Sequence, residues 1–94
     1  MPYSTQDIQD AVDDYNAVVA AYRDNRATDD EVEGALDDVK NVCRIVYFDS
    51  DGNFDQAKYA ANAAQGNIVE WKNQSLIISL EDRDRPNQMI DYTI

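Results

Sequence analysis

One apolar pattern is written twice in the first half of this chain. Ile8, Ala11, Val12, Tyr15, Val18, Val19 and Tyr22 are spaced in steps of three, one, three, three, one and three. Val32, Ala35, Leu36, Val39, Val42, Cys43 and Val46 repeat those steps 24 residues later. Such spacing puts each set on one face of an α-helix, with a period close to the heptad. The start signals recur too. Ser4 lies three residues before Asp7 and Thr28 three before Glu31, a capping box in the second copy and an Asp-bearing version in the first. Asp13-Asp14 on the outer face returns as Asp37-Asp38. Residues 4–47 are therefore predicted to be an antiparallel αα-hairpin turning through Asp24-Asn25-Arg26-Ala27. Two apolar stripes of this kind cannot be buried by each other alone, so the rest of the chain has to supply a cover.

The remainder changes character. Arg44-Ile45-Val46-Tyr47-Phe48 is β-branched and aromatic, so the spacing leaves open whether the second helix continues there or frays into a short extended stretch. Asp49-Ser50-Asp51-Gly52-Asn53 is a turn, and an alanine-rich third helix is placed at 54–66. Asn53 or Asp55 caps its start, and Gly66 stands where a terminating glycine belongs. Residues 67–94 then read as a β-meander. Its strands are Ile68–Trp71, Leu76–Leu80 and Met89–Ile94, with Lys72-Asn73-Gln74-Ser75 as the first turn. The second connection is a charged loop around Pro86. Asn73-Gln74-Ser75 also matches a glycosylation acceptor, which matters only in a secreted chain. The expected fold is α+β: one domain over residues 1–94, with the hairpin and a short third helix packed on a three-stranded antiparallel meander.

Charge narrows the function. Nineteen acids against eight bases leave a net charge of −11. Eleven acids and three bases fall in residues 1–40, so the negative field belongs to the hairpin. Such a field argues strongly against direct binding to nucleic acid or anionic lipid, which requires a basic footprint. Catalysis has little to work with. The chain has no histidine and no glycine-rich phosphate loop, and Cys43 sits on an apolar stripe without an imidazole to activate it. No enzyme activity and no cofactor are expected. No apolar run is long enough to span a bilayer, and Met1–Asp7 lacks the basic and apolar regions of a secretory signal. A cytoplasmic location is expected, in a host cytoplasm or a virion if the protein is viral.

Asp49, Asp51, Asn53 and Asp55 resemble a calcium loop until the register is counted. Gly52 falls at position four where an EF-hand needs glycine at six, and Ala60 stands where the bidentate Glu belongs. A turn followed by a helix cap accounts for these residues and leaves room only for weak Ca²⁺ binding.

Asp7, Asp29, Asp30 and Glu31 suit the positive ends of the helix dipoles. Asp10, Asp13, Asp14, Glu33, Asp37 and Asp38 do not, and like charges at helical spacing repel by about 0.2–0.5 kcal/mol per pair. These six form the candidate partner-binding face. Salt adaptation and surface drift are the competing explanations. Trp71, Tyr92 and Ile94 are the candidate apolar assembly residues on the strands. The expected function is a non-enzymatic structural or adaptor subunit of a larger assembly, such as a viral connector or tail component. Its partner is a protein with a basic surface, and a second copy of the chain is also admitted. The alternative is a nucleic-acid mimic whose acidic helices block a basic channel, as anti-restriction and anti-CRISPR inhibitors do.

Overall fold

In a computed structural model, the described residues are 3–63 and 68–94. The order of elements is α1 (Thr5–Arg23), α2 (Asp29–Tyr47), α3 (Gln56–Ala63), β1 (Val69–Lys72), β2 (Ser75–Glu81) and β3 (Met89–Thr93). The fold is α+β, with the strands forming one antiparallel sheet in the order β1-β2-β3.

Both helices begin where the sequence signals place them. At Ser4 the Asp7 carboxylate accepts from the backbone N–H at 2.7 Å and from the hydroxyl at 3.3 Å. At Thr28 the hydroxyl accepts from the Glu31 N–H at 3.2 Å, and the Glu31 carboxylate accepts back from the Thr28 N–H at 3.3 Å. α1 ends in a Schellman motif. Arg26 N–H donates to the Ala21 carbonyl at 2.7 Å and Asn25 N–H to the Tyr22 carbonyl at 3.1 Å. Asn25 takes φ 61°, a left-handed geometry that asparagine tolerates better than most residues.

Every residue of both stripes lies in the core or packs against it. Ile8, Tyr15, Val19, Val32, Leu36, Val39, Cys43 and Val46 are buried, and Ala11, Val12, Val18, Tyr22, Ala35 and Val42 are partly covered. Each buried aliphatic side chain contributes roughly 1.5–3 kcal/mol of apolar transfer, and this packing, more than helix propensity, holds the hairpin. The cover is the inner face of the sheet. Leu76, Ile78 and Leu80 alternate inward along β2, beside Val69 of β1. Pairing of Ile78 with Val69 and Tyr92, and of Leu80 with Ile90, puts those residues on the same face.

Two boundaries are settled by tertiary contacts, and one of them, the start of α3, departs from the sequence reading. α2 stays helical through Tyr47, and only Phe48 is extended (φ −118°, ψ 143°). The reason is burial: Val46 and Tyr47 are both core residues, and the helix keeps them on its inner face. Phe54 lies outside α3, because it forms an antiparallel bridge with Phe48 across the turn. α3 instead starts at Gln56, capped by Asp55, whose Oδ1 accepts from Lys58 N–H at 3.0 Å. The expected end of that helix, with Gly66, lies outside the described residues.

The β1–β2 hairpin closes through Asn73 and Gln74, at φ 52° and 61°. Two left-handed residues are what a two-residue type I′ turn requires, and glutamine bears that conformation poorly. Gln74→Gly is expected to stabilise the protein by about 0.5–1 kcal/mol, the relief of strain outweighing the added freedom of the unfolded chain. Urea denaturation checks this. A destabilised glycine variant would contradict the turn geometry.

Candidate functional site

The sequence proposed a single acidic face, and the structure divides its six carboxylates. Asp10 and Asp14 of α1 and Asp38 of α2 line one groove of about 270 Å³, together with Asp7. Ala11, Ala35, Val42 and Tyr3 make its apolar lining. The internal repeat explains this meeting. Two copies packed antiparallel are related by an approximate two-fold, so equivalent positions (Ala11 and Ala35, Asp14 and Asp38) come to the same furrow. No basic side chain is among the lining residues, although Lys58 Nζ reaches the Tyr3 carbonyl at 3.5 Å nearby. Asp10 accepts from the Gln6 amide at 2.9 Å, which leaves its negative charge uncompensated.

The other three lie elsewhere. Asp13 is exposed and accepts from the Gln9 amide at 2.9 Å. Asp37 is exposed and outside the groove lining. Glu33 faces the loop between β2 and β3, where it pairs with Arg83 at 3.3 Å.

That loop is fixed to the hairpin by two arginines. Arg23, in the last turn of α1, pairs with Glu81 at 2.6 Å and donates to the carbonyls of Asp82 and Arg83. Arg83, so placed, sits 5.7 Å over the Tyr22 ring and within 3.7 Å of Asp29. Between this loop and α2 opens a cleft of about 650 Å³. Lys40, Arg83 and Arg85 line it, as do Glu33, Asp82 and Asp84, above apolar Val32, Leu36 and Ile90. Lys40 Nζ stands 5.7 Å over the Tyr92 ring. The Tyr15 hydroxyl is fully buried at this cleft, turned toward Tyr92 but short of a completed hydrogen bond. Burial, first, and Tyr92, second, push its pKa well above the ordinary phenol value. An unsatisfied buried hydroxyl costs about 1–3 kcal/mol.

Sequence reasoning missed Arg23, Arg83 and the Tyr15 hydroxyl. A signal for Tyr15 exists: its twin in the second copy is Val39, so a phenol stands where the repeat is satisfied by a valine.

The strand residues proposed for assembly are half-buried rather than open. Trp71 stacks on Phe54 with ring centroids 3.7 Å apart and planes 5° from parallel, and its backbone N–H donates to the Tyr59 hydroxyl at 3.1 Å. Tyr92 is drawn into the Tyr15 cleft, and Ile94 packs against the core beside α2. Among the described residues, the large apolar side chains most open to solvent are Met89 at 64% and Ile45 at 51% exposure.

Around residues 49–55 the carboxylates serve the backbone. Asp49 Oδ1 accepts from the N–H groups of Asp51 and Asn53, each at 2.9 Å, and Asp55 caps α3. Gly52, at φ 82°, makes the turn. Among the described residues no three His, Cys, Asp or Glu side chains gather in a metal-holding group. Cys43 is buried, and desolvation pushes its pKa up to about 12, so its nucleophilic thiolate is suppressed at neutral pH. Among the described residues, no helix is long and apolar enough to cross a membrane.

Comparison of the chain with protein-family models, with curated proteins and with solved structures finds no match.

Proposed function

We propose that this protein is a non-enzymatic adaptor that docks a basic segment of a protein partner into the groove between α1 and α2. The observation that carries this reading is the convergence of Asp7, Asp10, Asp14 and Asp38 on one furrow with an apolar lining. Charge alone would attract any cation. Charge over an apolar strip selects a segment that carries both Lys or Arg and apolar side chains, and complementarity of this kind sets on-rate and specificity. The net charge of −11 extends the attraction beyond the groove.

The defined test uses a short helical peptide with Lys or Arg along one side and Leu along its neighbour. Amide shifts in a ¹H–¹⁵N titration should centre on residues 7–14 and 35–42. The double variant Asp14→Asn/Asp38→Asn should keep its fold and melt at or slightly above the wild-type temperature, because like-charge repulsion is relieved. Its affinity for the peptide should fall about tenfold, and wild-type binding should weaken steeply with salt. Shifts spread evenly over all the acidic residues, or an unaffected double variant, would remove the groove as the docking site.

The alternative reading, a nucleic-acid mimic, draws support from the row Asp7, Asp10, Asp14 on α1. Carboxylates one helical turn apart lie about 5–6 Å from each other, comparable with the through-space distance between phosphates along a strand. Under that reading heparin and DNA compete with the protein for its partner, whereas an adaptor's apolar contacts make it a poor match for a polyanion.

A further inference from the structure

The cleft between α2 and the β2–β3 loop has no part in the adaptor reading. We infer that it binds a small organic anion: a carboxylate or phosphate head on an apolar body. Three features of the cleft carry this. The first is cationic. Lys40 and Arg85 both line it, and among the described residues neither has a carboxylate within ion-pairing distance. Of the acids of the same cleft, Glu33 and Asp84 contact Arg83 at 3.3 and 4.0 Å, while Asp82, whose Oδ1 accepts from the Asp84 N–H at 2.9 Å, keeps its charge. The lining carries three acids and three bases, and among the described residues Lys40 and Arg85 are the two cations in it left without a carboxylate partner, available to an anion from solution.

The second feature is the buried Tyr15 hydroxyl, fully enclosed and without a completed hydrogen bond. It faces Tyr92, a second phenol on the cleft wall. If the Tyr92 O–H donates outward to an oxyanion, its oxygen is left to accept from the Tyr15 O–H. Both phenols are then satisfied in one chain ending on the ligand, and the charge at its end strengthens each link. The third feature is the apolar patch of Val32, Leu36 and Ile90, which gives the ligand's body a surface to cover. A space of about 650 Å³ suits a molecule of tens of atoms at most.

The experiment titrates the protein with benzoate and with phenyl phosphate. Inorganic phosphate serves as the head alone and benzyl alcohol as the body alone. At least one of the two aryl anions should bind saturably and more tightly than either part, and the tighter of them identifies the head group. Amide shifts should centre on Leu36, Lys40, residues 82–85 and Tyr92. Lys40→Gln/Arg85→Gln changes side chains outside the buried core, so the fold should hold; affinity should drop about tenfold or more. Tyr92→Phe keeps the ring and should weaken binding by a smaller, measurable factor. Asp14→Asn/Asp38→Asn should bind the anion as wild type does, which separates this inference from the groove. Saturation by neither anion, equal binding of benzyl alcohol, shifts centred outside the cleft, or indifference to the Lys40/Arg85 change would each overturn it.

Discussion

Val39→Asp is expected to unfold the protein. Val39 lies at the middle of the second stripe with no exposed surface, among residues of both helices and the sheet. Among the described residues the core contains no buried charged residue, so a carboxylate there would find no partner in it. Desolvating an unpaired carboxylate costs several kcal/mol on top of the lost valine packing. A chain of this length has about 5–14 kcal/mol of stability in total. Far-UV circular dichroism and ¹H–¹⁵N dispersion should therefore both collapse. Val39→Ala, which only opens a small cavity, should fold and lose about 2 kcal/mol. A near-native melting temperature in the Asp variant would mean that the repeated stripe is not the core.

Arg23→Ala is expected to cost about 2–3 kcal/mol, large for a residue on no apolar stripe. One guanidinium ties the end of α1 to the Glu81 carboxylate and to two loop carbonyls. Removing it leaves those acceptors part-buried and frees the segment that positions Arg83. For a domain of this size the melting temperature should fall roughly 10–20 °C. Hydrogen exchange should accelerate in residues 82–88 before it does in α2. Arg23→Lys should restore little, since an ammonium cannot present the planar fork that reaches three acceptors. A loss below about 0.5 kcal/mol would class Arg23 with ordinary surface ion pairs.

The two predictions differ in where their grounds were visible. Val39 could be named from spacing alone. A helical period is a local property, and a stripe repeated at a fixed offset admits few arrangements other than an antiparallel pair. Capping follows the same logic, because Thr28 and Glu31 find each other within one turn of chain. The meander was legible for a similar reason: alternation along β2 and the Asn73-Gln74 turn are set by near neighbours. Arg23 could not be named this way. Its partners lie 58 to 60 residues away, and nothing local marks an arginine in a last helical turn as anything but a complement to the helix dipole.

The same division runs through the sites. Composition determined that the surface is anionic and that the hairpin carries most of the excess. Only tertiary packing decided which carboxylates share a groove. Asp14 and Asp38 meet there because two copies of one pattern pack head to tail, while Glu33 is turned away to Arg83. The half-burial of Trp71 could not be read from a strand's alternation, because the neighbour that covers it comes from elsewhere. Phe54, bridged to Phe48 across a turn, supplies that cover. The Tyr15 hydroxyl is the sharpest instance. The stripe placed its ring in the core, as an apolar position requires. Whether the oxygen at its tip finds a partner depends on Tyr92, 77 positions further along the chain, which the sheet brings back against the first helix. Local spacing determined the elements of this protein and their inward faces; long-range contacts, which spacing does not encode, decided where its charges and the buried Tyr15 phenol came to rest.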